Sequence, residues 1–299
     1  MKIAYAPIYC HPLPEGHRFP MEKYALLPEQ ILREGIVDES DFFLPDPLSR
    51  EEVQQIHSSS YIDKLEQLNL SRQEERKTGF PLSAKLVERE YTICGGSVIN
   101  TRHAKREGVA LNIAGGTHHA YRDRGEGFCL FNDIALGANH LLKENPQQQI
   151  LVVDLDVHQG NGTASIFEND DRVFTFSMHG ANNYPLHKEK SNLDVPLEDG
   201  CKDKEYLDIL ERHLYSLFDS LNPDFVFYQS GVDVLATDKL GRLGMSREGC
   251  RQRDAMVFKY CQQAKAPVSV SMGGGYSERL SDILEAHTNT YREARRIFG

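Results

Sequence analysis

The chain has no apolar run of about 18 residues, the length a bilayer span requires, and no stretch of it reads as a transmembrane segment. A secretory leader is not seen either: Met1 to Tyr9 carries one lysine and then meets His11, Pro12 and Pro14 where an apolar centre would have to continue. Cysteine is sparse and unpatterned. Cys10, Cys94, Cys129, Cys201, Cys250 and Cys261 form no CxxC pair, so neither a zinc ribbon nor a dense disulfide framework is suggested and a reducing, cytoplasmic setting is expected. Positive charge is in deficit, with 34 Lys plus Arg against 44 Asp plus Glu and a net charge of −10. That balance argues against tight non-specific binding to nucleic acid or anionic membrane and favours a basic partner. No repeat, low-complexity tract or Gly/Ser linker marks a boundary, so residues 1–299 are expected to form one domain with a sizeable core.

What is present is an alternation of short β-branched apolar runs with longer helical stretches. This is the sequence form of an α/β fold, here a three-layer α/β/α arrangement around a mostly parallel sheet. The strand expectations are Lys2–Ala6, Val109–Ile113, Ile150–Asp154, Val173–Met178, Phe225–Gln229 and Val268–Met272. Helices are expected from the Ser49–Glu52 capping box toward Ile56, over Leu82–Ala104, Asn132–Leu142 and Lys204–Leu221, from Ser246 to about Gln263, and after Ser277. Proline-rich residues 10–47 read as an irregular segment wrapping the body.

In open α/β sheets ligands bind beyond the carboxyl ends of the strands, and five expected strands deliver polar side chains there. They are followed by Gly115-Gly-Thr-His118-His119, by Leu155-Asp156-Val-His158-Gln-Gly-Asn161-Gly, by His179, by Ser230-Gly-Val-Asp233, and by Gly273-Gly-Gly-Tyr276. Asp156 and His158, two apart on extended chain, share a side as two ligands of one ion require. Asp233 would complete an Asp-His-Asp set with an open position, the pattern of a catalytic zinc. A binuclear manganese hydrolase of the arginase type would need further carboxylates where Gly160 and Leu235 stand, so one ion is expected rather than two. His118 and His119 suit proton transfer near neutral pH, and the Tyr276 hydroxyl suits stabilisation of an oxyanion. His11, His57, His140 and His213 are read as packing or surface residues.

Five motifs, Gly-Gly-Thr-His-His-Ala (115–120), Gly-Glu-Gly-Phe-Cys-Leu-Phe-Asn-Asp (125–133), Asp-Leu-Asp-Val-His-Gln-Gly-Asn-Gly (154–162), Ser-Gly-Val-Asp (230–233) and Gly-Gly-Gly-Tyr (273–276), resemble in order the signatures of zinc-dependent histone deacetylases. The segment His-Pro-Leu-Pro-Glu-Gly-His-Arg-Phe-Pro (11–20) looks like the bacterial, class IV-like branch. The resemblance implies the arginase/deacetylase fold, Zn²⁺ on Asp156, His158 and Asp233, a His118–His119 proton-transfer pair, and Tyr276 polarising the substrate carbonyl. It further implies that Asp154 orients His118 and, with the Ser177 hydroxyl and the backbone carbonyls of Asp156, His158 and Met178, holds a K⁺ ion. Gly127 and Phe128 would line an acyl-lysine channel, with Tyr184 as its other wall and Gly274 among the substrate-binding residues.

One position departs from the best-known members. Asn161 stands where they carry a second Asp behind the second histidine, and an amide can orient His119 without stabilising its cation. The leading expectation is therefore hydrolysis of acyl-lysine in a protein or peptide, acetyl or longer. A small acylated amine such as an acetylpolyamine is the second reading and a non-catalytic metal-stabilised binding protein the third. The −10 charge leads to the expectation that the channel mouth attracts lysine-rich segments.

Overall fold

The structure, a computed structural model, describes residues 1–299. Its strands are β1 Lys2–Ala4, β2 Phe42–Phe43, β3 Val109–Asn112, β4 Ile150–Asp154, β5 Val173–Gly180, β6 Leu193–Leu197, β7 Phe225–Gln229 and β8 Val268–Ser271. The helices are α1 Lys23–Arg33, α2 Arg50–Val53, α3 Ser59–Glu66, α4 Arg72–Thr78, α5 Ala84–Glu107, α6 Asp133–Glu144, α7 Asn161–Phe167, α8 Asp203–Leu221, α9 Arg247–Ala264 and α10 Leu280–Phe298. All eight strands pair in parallel, in the order β2-β1-β3-β8-β7-β4-β5-β6. Residues in β3, β4, β7 and β8 are buried throughout; β4 and β7 are accordingly near-continuous apolar runs, as parallel strands covered by helices on both faces are, while β8 alternates Val with the buried Ser269 and Ser271. Helices α5 and α6 pack together in one group, and α8, α9, α10 and α1 pack in succession in another.

The topology positions the site. From β3 the chain crosses to β4 and leaves two places that β7 and β8 fill much later. The carboxyl ends of β3, β8, β7 and β4 thereby become neighbours at a switch in strand order, where an α/β sheet opens a crevice. Strand ends up to 159 residues apart in the sequence face one another only for this reason.

One expectation about local structure is corrected, and β6 falls outside the expected strands. Residues 10–47 are not irregular throughout: α1 buries Lys23, Leu27 and Ile31 along one face at intervals of four, and β2 pairs with β1 at the sheet edge. Pro28 inside α1 hid the helix, because an internal proline normally ends or kinks one. Strand β6 carries Pro196 and is mostly part-exposed. A proline-bearing edge strand has no alternating apolar signature for sequence reasoning to find. The Ser49 capping box is present, with Ser49 Oγ accepting from the Glu52 N–H. No helix is long and apolar enough to cross a membrane.

Candidate active site

Strand β4 ends at Asp154 and β7 at Gln229, and the turns beyond them bring Asp156, His158 and Asp233 together. One donor atom from each lies within 4.8 Å of the others, and all three residues are buried. His158 Nδ1 sits 3.0 Å from Asp156 Oδ1 and 3.1 Å from Asp233 Oδ2. The remaining oxygens are held by backbone donors: the Gly274 N–H reaches Asp156 Oδ2 at 2.9 Å and the Val157 N–H reaches Asp233 Oδ1 at 2.9 Å. Gly231 and Gly274 are required here, since a Cβ would fall 2.2 Å from Asp156 Oδ2 at the first and 1.9 Å from Asp233 Oδ2 at the second. Burial and the adjacent Asp156 push the Asp233 carboxyl up to about 7, while the two carboxylates overcome burial and raise His158 to about 10. Two carboxylates buried this close favour a positive charge between them. The donor set and its geometry therefore fit a divalent metal with three protein ligands.

The two histidines sit on a turn that follows β3. Gly115 and Gly116 take φ of +81° and +76°, and the buried Asp133 clamps the turn by accepting from the Thr117 N–H at 2.8 Å and its hydroxyl at 2.7 Å. That bend lets both rings face one cleft, 4.1 Å apart between centroids. Their partners differ. His118 Nδ1 lies 2.7 Å from the Asp154 carboxylate, whereas His119 Nδ1 lies 2.6 Å from the Asn161 amide oxygen. Asn161 is oriented in turn by donating to the Tyr121 hydroxyl at 2.9 Å, which donates to Glu189 at 3.1 Å. Burial opposes a charge on His118, but Asp154 and Asp156 raise it to about 9. Burial and the neighbouring His118 and His158 hold His119 well below its ordinary value. The surroundings thus favour the charged form of His118 and the neutral form of His119. Tyr276 follows β8, its backbone N–H anchored on Asp238 at 2.6 Å, and its hydroxyl makes no hydrogen bond within the protein. It lines the cavity beside His118, His119 and His158.

A family model described as the histone deacetylase domain matches residues 17–291. The chain belongs to the histone deacetylase family. It is similar to an uncharacterised protein of Picosynechococcus sp., 40% identical with 99% of each chain covered. It is also similar to histone deacetylase RPD3 of Saccharomyces cerevisiae, 30% identical over 88% of this chain and 65% of that one. Among solved structures, a histone deacetylase homologue from Aquifex aeolicus matches with a TM-score of 0.84 at 25% identity, covering 99% of this chain and 84% of that one. The α/β fold with its parallel sheet is the arginase/deacetylase-like one, and the chain is a family hydrolase.

The remaining expected residues of this deacetylase-family chain fall in three places. Gly127 and Phe128 form the wall of a cleft leading to the histidines: Gly127, at φ +54°, brings its backbone where a Cβ would sit 2.5 Å from His119 Cδ2. Phe128 itself holds φ +68°, a strained setting for a bulky residue. Tyr184 stands opposite, its ring edge-on to His119 at 5.0 Å and its hydroxyl donating to Glu126 at 2.7 Å. Gly274 lines the inner cavity, and its N–H holds Asp156 while its carbonyl accepts from Val232, so it also braces the ligand set. Ser177 and Met178 lie beneath on β5, where the Ser177 hydroxyl pairs with His179 Nδ1 at 2.9 Å.

Sequence reasoning missed several contributors. Phe19 and Phe80 line the inner cavity with Phe128 and make edge-on contacts with it or with each other, but they come from segments without periodic pattern. Lys23 is fully buried and donates to the Gly273 carbonyl at 3.1 Å, behind Tyr276. His57 is not a loose packing residue: its Nε2 accepts from the Asn132 N–H at 3.0 Å and its Nδ1 donates to the Tyr121 carbonyl at 2.9 Å, tying the histidine turn to α6.

Proposed function

We propose that the chain hydrolyses the amide of an acyl-lysine with one Zn²⁺ held by Asp156, His158 and Asp233. The observation that carries this reading is that Asp156 and His158, two members of the buried Asp156–His158–Asp233 set, line one cavity with His119 and with a Tyr276 hydroxyl that has no partner in the protein. A zinc ion there would polarise the acyl carbonyl and make an attacking water more acidic. His119 takes the proton from that water through Nε2, which is free because Nδ1 faces Asn161. As the water oxygen bonds to the carbonyl carbon, the Tyr276 hydroxyl donates to the oxygen gaining charge. His118, held charged by Asp154, adds electrostatic support, and the proton on His119 passes to the lysine nitrogen as the carbon–nitrogen bond breaks. A carboxylic acid and a free lysine leave. Gly127 and Phe128 on one side and Tyr184 on the other hold the lysine stem.

Asp154, Ser177 and Met178, with the carbonyls of Asp156 and His158, are proposed to hold K⁺. Both carbonyls belong to buried residues and accept no hydrogen bond from the protein, which leaves them free for a cation. A reducing cytoplasmic setting is proposed on the unpatterned cysteines of the sequence. The test is a panel of peptides bearing acetyl- to myristoyl-lysine together with N-acetylputrescine, assayed on protein of measured zinc content. Lysine release from a peptide by protein with one zinc per chain supports the reading. Preferential hydrolysis of N-acetylputrescine, or no turnover by zinc-loaded protein, overturns it.

A further inference from the structure

The cleft between Phe128 and Tyr184 opens onto a rim whose charge opposes that of the chain. Among the residues lining it are five cations, Arg18, Arg76, Lys77, Arg124 and Arg242, and only two carboxylates. Both carboxylates are already engaged. Glu126 accepts from Arg124 at 3.0 Å and from the Tyr184 hydroxyl at 2.7 Å, with Lys77 at 3.9 Å, and Glu189 accepts from Tyr121. Arg242 pairs with Asp199 at 3.3 Å. Arg18 and Arg76 are exposed and form no ion pair. The Arg18 guanidinium stacks 5.0 Å over the ring of Phe128, which holds one unpaired charge against the channel wall.

An acidic protein gains nothing in solubility from gathering unpaired arginines around one opening. Exposed charges act over roughly a Debye length, about 8 Å at physiological salt, so a bound substrate responds to this rim and not to the net −10. The rim's charge speaks against the lysine-rich segments expected from the net charge, and a polycationic acetylpolyamine would meet like charge on entering. We infer, resting on the acyl-lysine reading above, that the substrate is an acyl-lysine set in an acidic segment of a protein, with Asp or Glu within a few residues on either side. Extended chain advances about 3.3–3.6 Å per residue. Carboxylates one to three positions from the lysine then fall within reach of Arg18 and Arg76.

The experiment compares acetyl-lysine peptides identical except for flanking Asp/Glu, Gln/Asn or Lys/Arg, on the zinc-loaded wild type and on the Arg18→Glu/Arg76→Glu double variant. Wild type is expected to favour the acidic peptide over the neutral one by about twofold to thirtyfold in kcat/KM, the range two exposed ion pairs supply, with the preference shrinking as salt rises. The double variant is expected to lose or invert the order. Equal rates across the panel, or a preference for the basic peptide in wild type, overturn the inference and leave the deacylase reading intact. If no peptide is hydrolysed the deacylase reading fails instead, and the anisotropy of the same labelled peptides decides the rim: tighter binding of the acidic peptide by wild type than by the double variant supports it, and equal binding overturns it.

Discussion

The floor and the mouth of the site are built on opposite terms. At the floor, Asp156, His158, Asp233, His118 and His119 are buried, and the Nδ1 atom of each histidine and the oxygens of both aspartates have assigned partners. The mouth is carried by an N-terminal segment, the end of α4 and the loop around Tyr184, and it leaves Arg18, Arg76 and Leu186 exposed. A buried charge that loses its partner is heavily destabilised, whereas an exposed pair contributes little. Changes at the floor should therefore abolish function and changes at the mouth should grade it.

The sharpest break of that contrast is Asp233→Ala. Its carboxylate is fully buried between Asp156 and the Val157 N–H. Bound zinc and turnover should fall together, by more than the roughly 10–100-fold typical of losing an outer partner. Metal analysis alongside kinetics checks this; a variant that keeps both zinc and rate would remove Asp233 from the ligand set.

The same contrast governs what could be read from sequence. Strands β4 and β7 were legible residue for residue because wholly buried parallel strands are continuous apolar runs. The floor was legible because Asp156, His158 and Asp233 sit at strand ends in fixed local spacing, flanked by Gly231 and Gly274 whose missing side chains make room for the carboxylates. Phe19, Phe80 and Arg18 were not legible as site residues. They reach the cleft from irregular segments that precede α1 and follow α4, and no period of 2 or 3.6 announces them. The net −10 could not place the rim's arginines for a related reason, since composition carries no information on where charge lies.

A second test sharpens the boundary between the two regions at Tyr276, which lines both the inner cavity and the mouth. Tyr276→Phe keeps the ring, the packing against Phe128 and the backbone bond to Asp238. It removes only the hydroxyl proposed to donate to the developing oxyanion, and the expected loss is about 10²–10³-fold in kcat. KM and zinc content should change little. An unaltered kcat would remove the hydroxyl from the mechanism, and a parallel loss of zinc would assign Tyr276 to the floor's framework.

The smallest effect is expected where floor and mouth are joined, along His119–Asn161–Tyr121–Glu189. The Asn161 amide oxygen accepts from the Nδ1–H of His119 without lending negative charge, and burial with the neighbouring His118 and His158 lowers the pKa of His119 well below its ordinary value. Asn161→Asp would place a carboxylate against Nδ1, and an opposite charge at this range raises a histidine pKa by about 1–3 pH units. A base works only when neutral, so kcat/KM rises with pH through that pKa, and a higher pKa moves the acid limb of the profile upward. The variant should be slower below neutrality and approach the wild-type rate in mild alkali, with Tyr121→Phe, which loosens the amide without adding charge, lowering the rate without moving the limb. Superimposable acid limbs for wild type and Asn161→Asp would mean that His119 is not the group whose protonation shuts the reaction down.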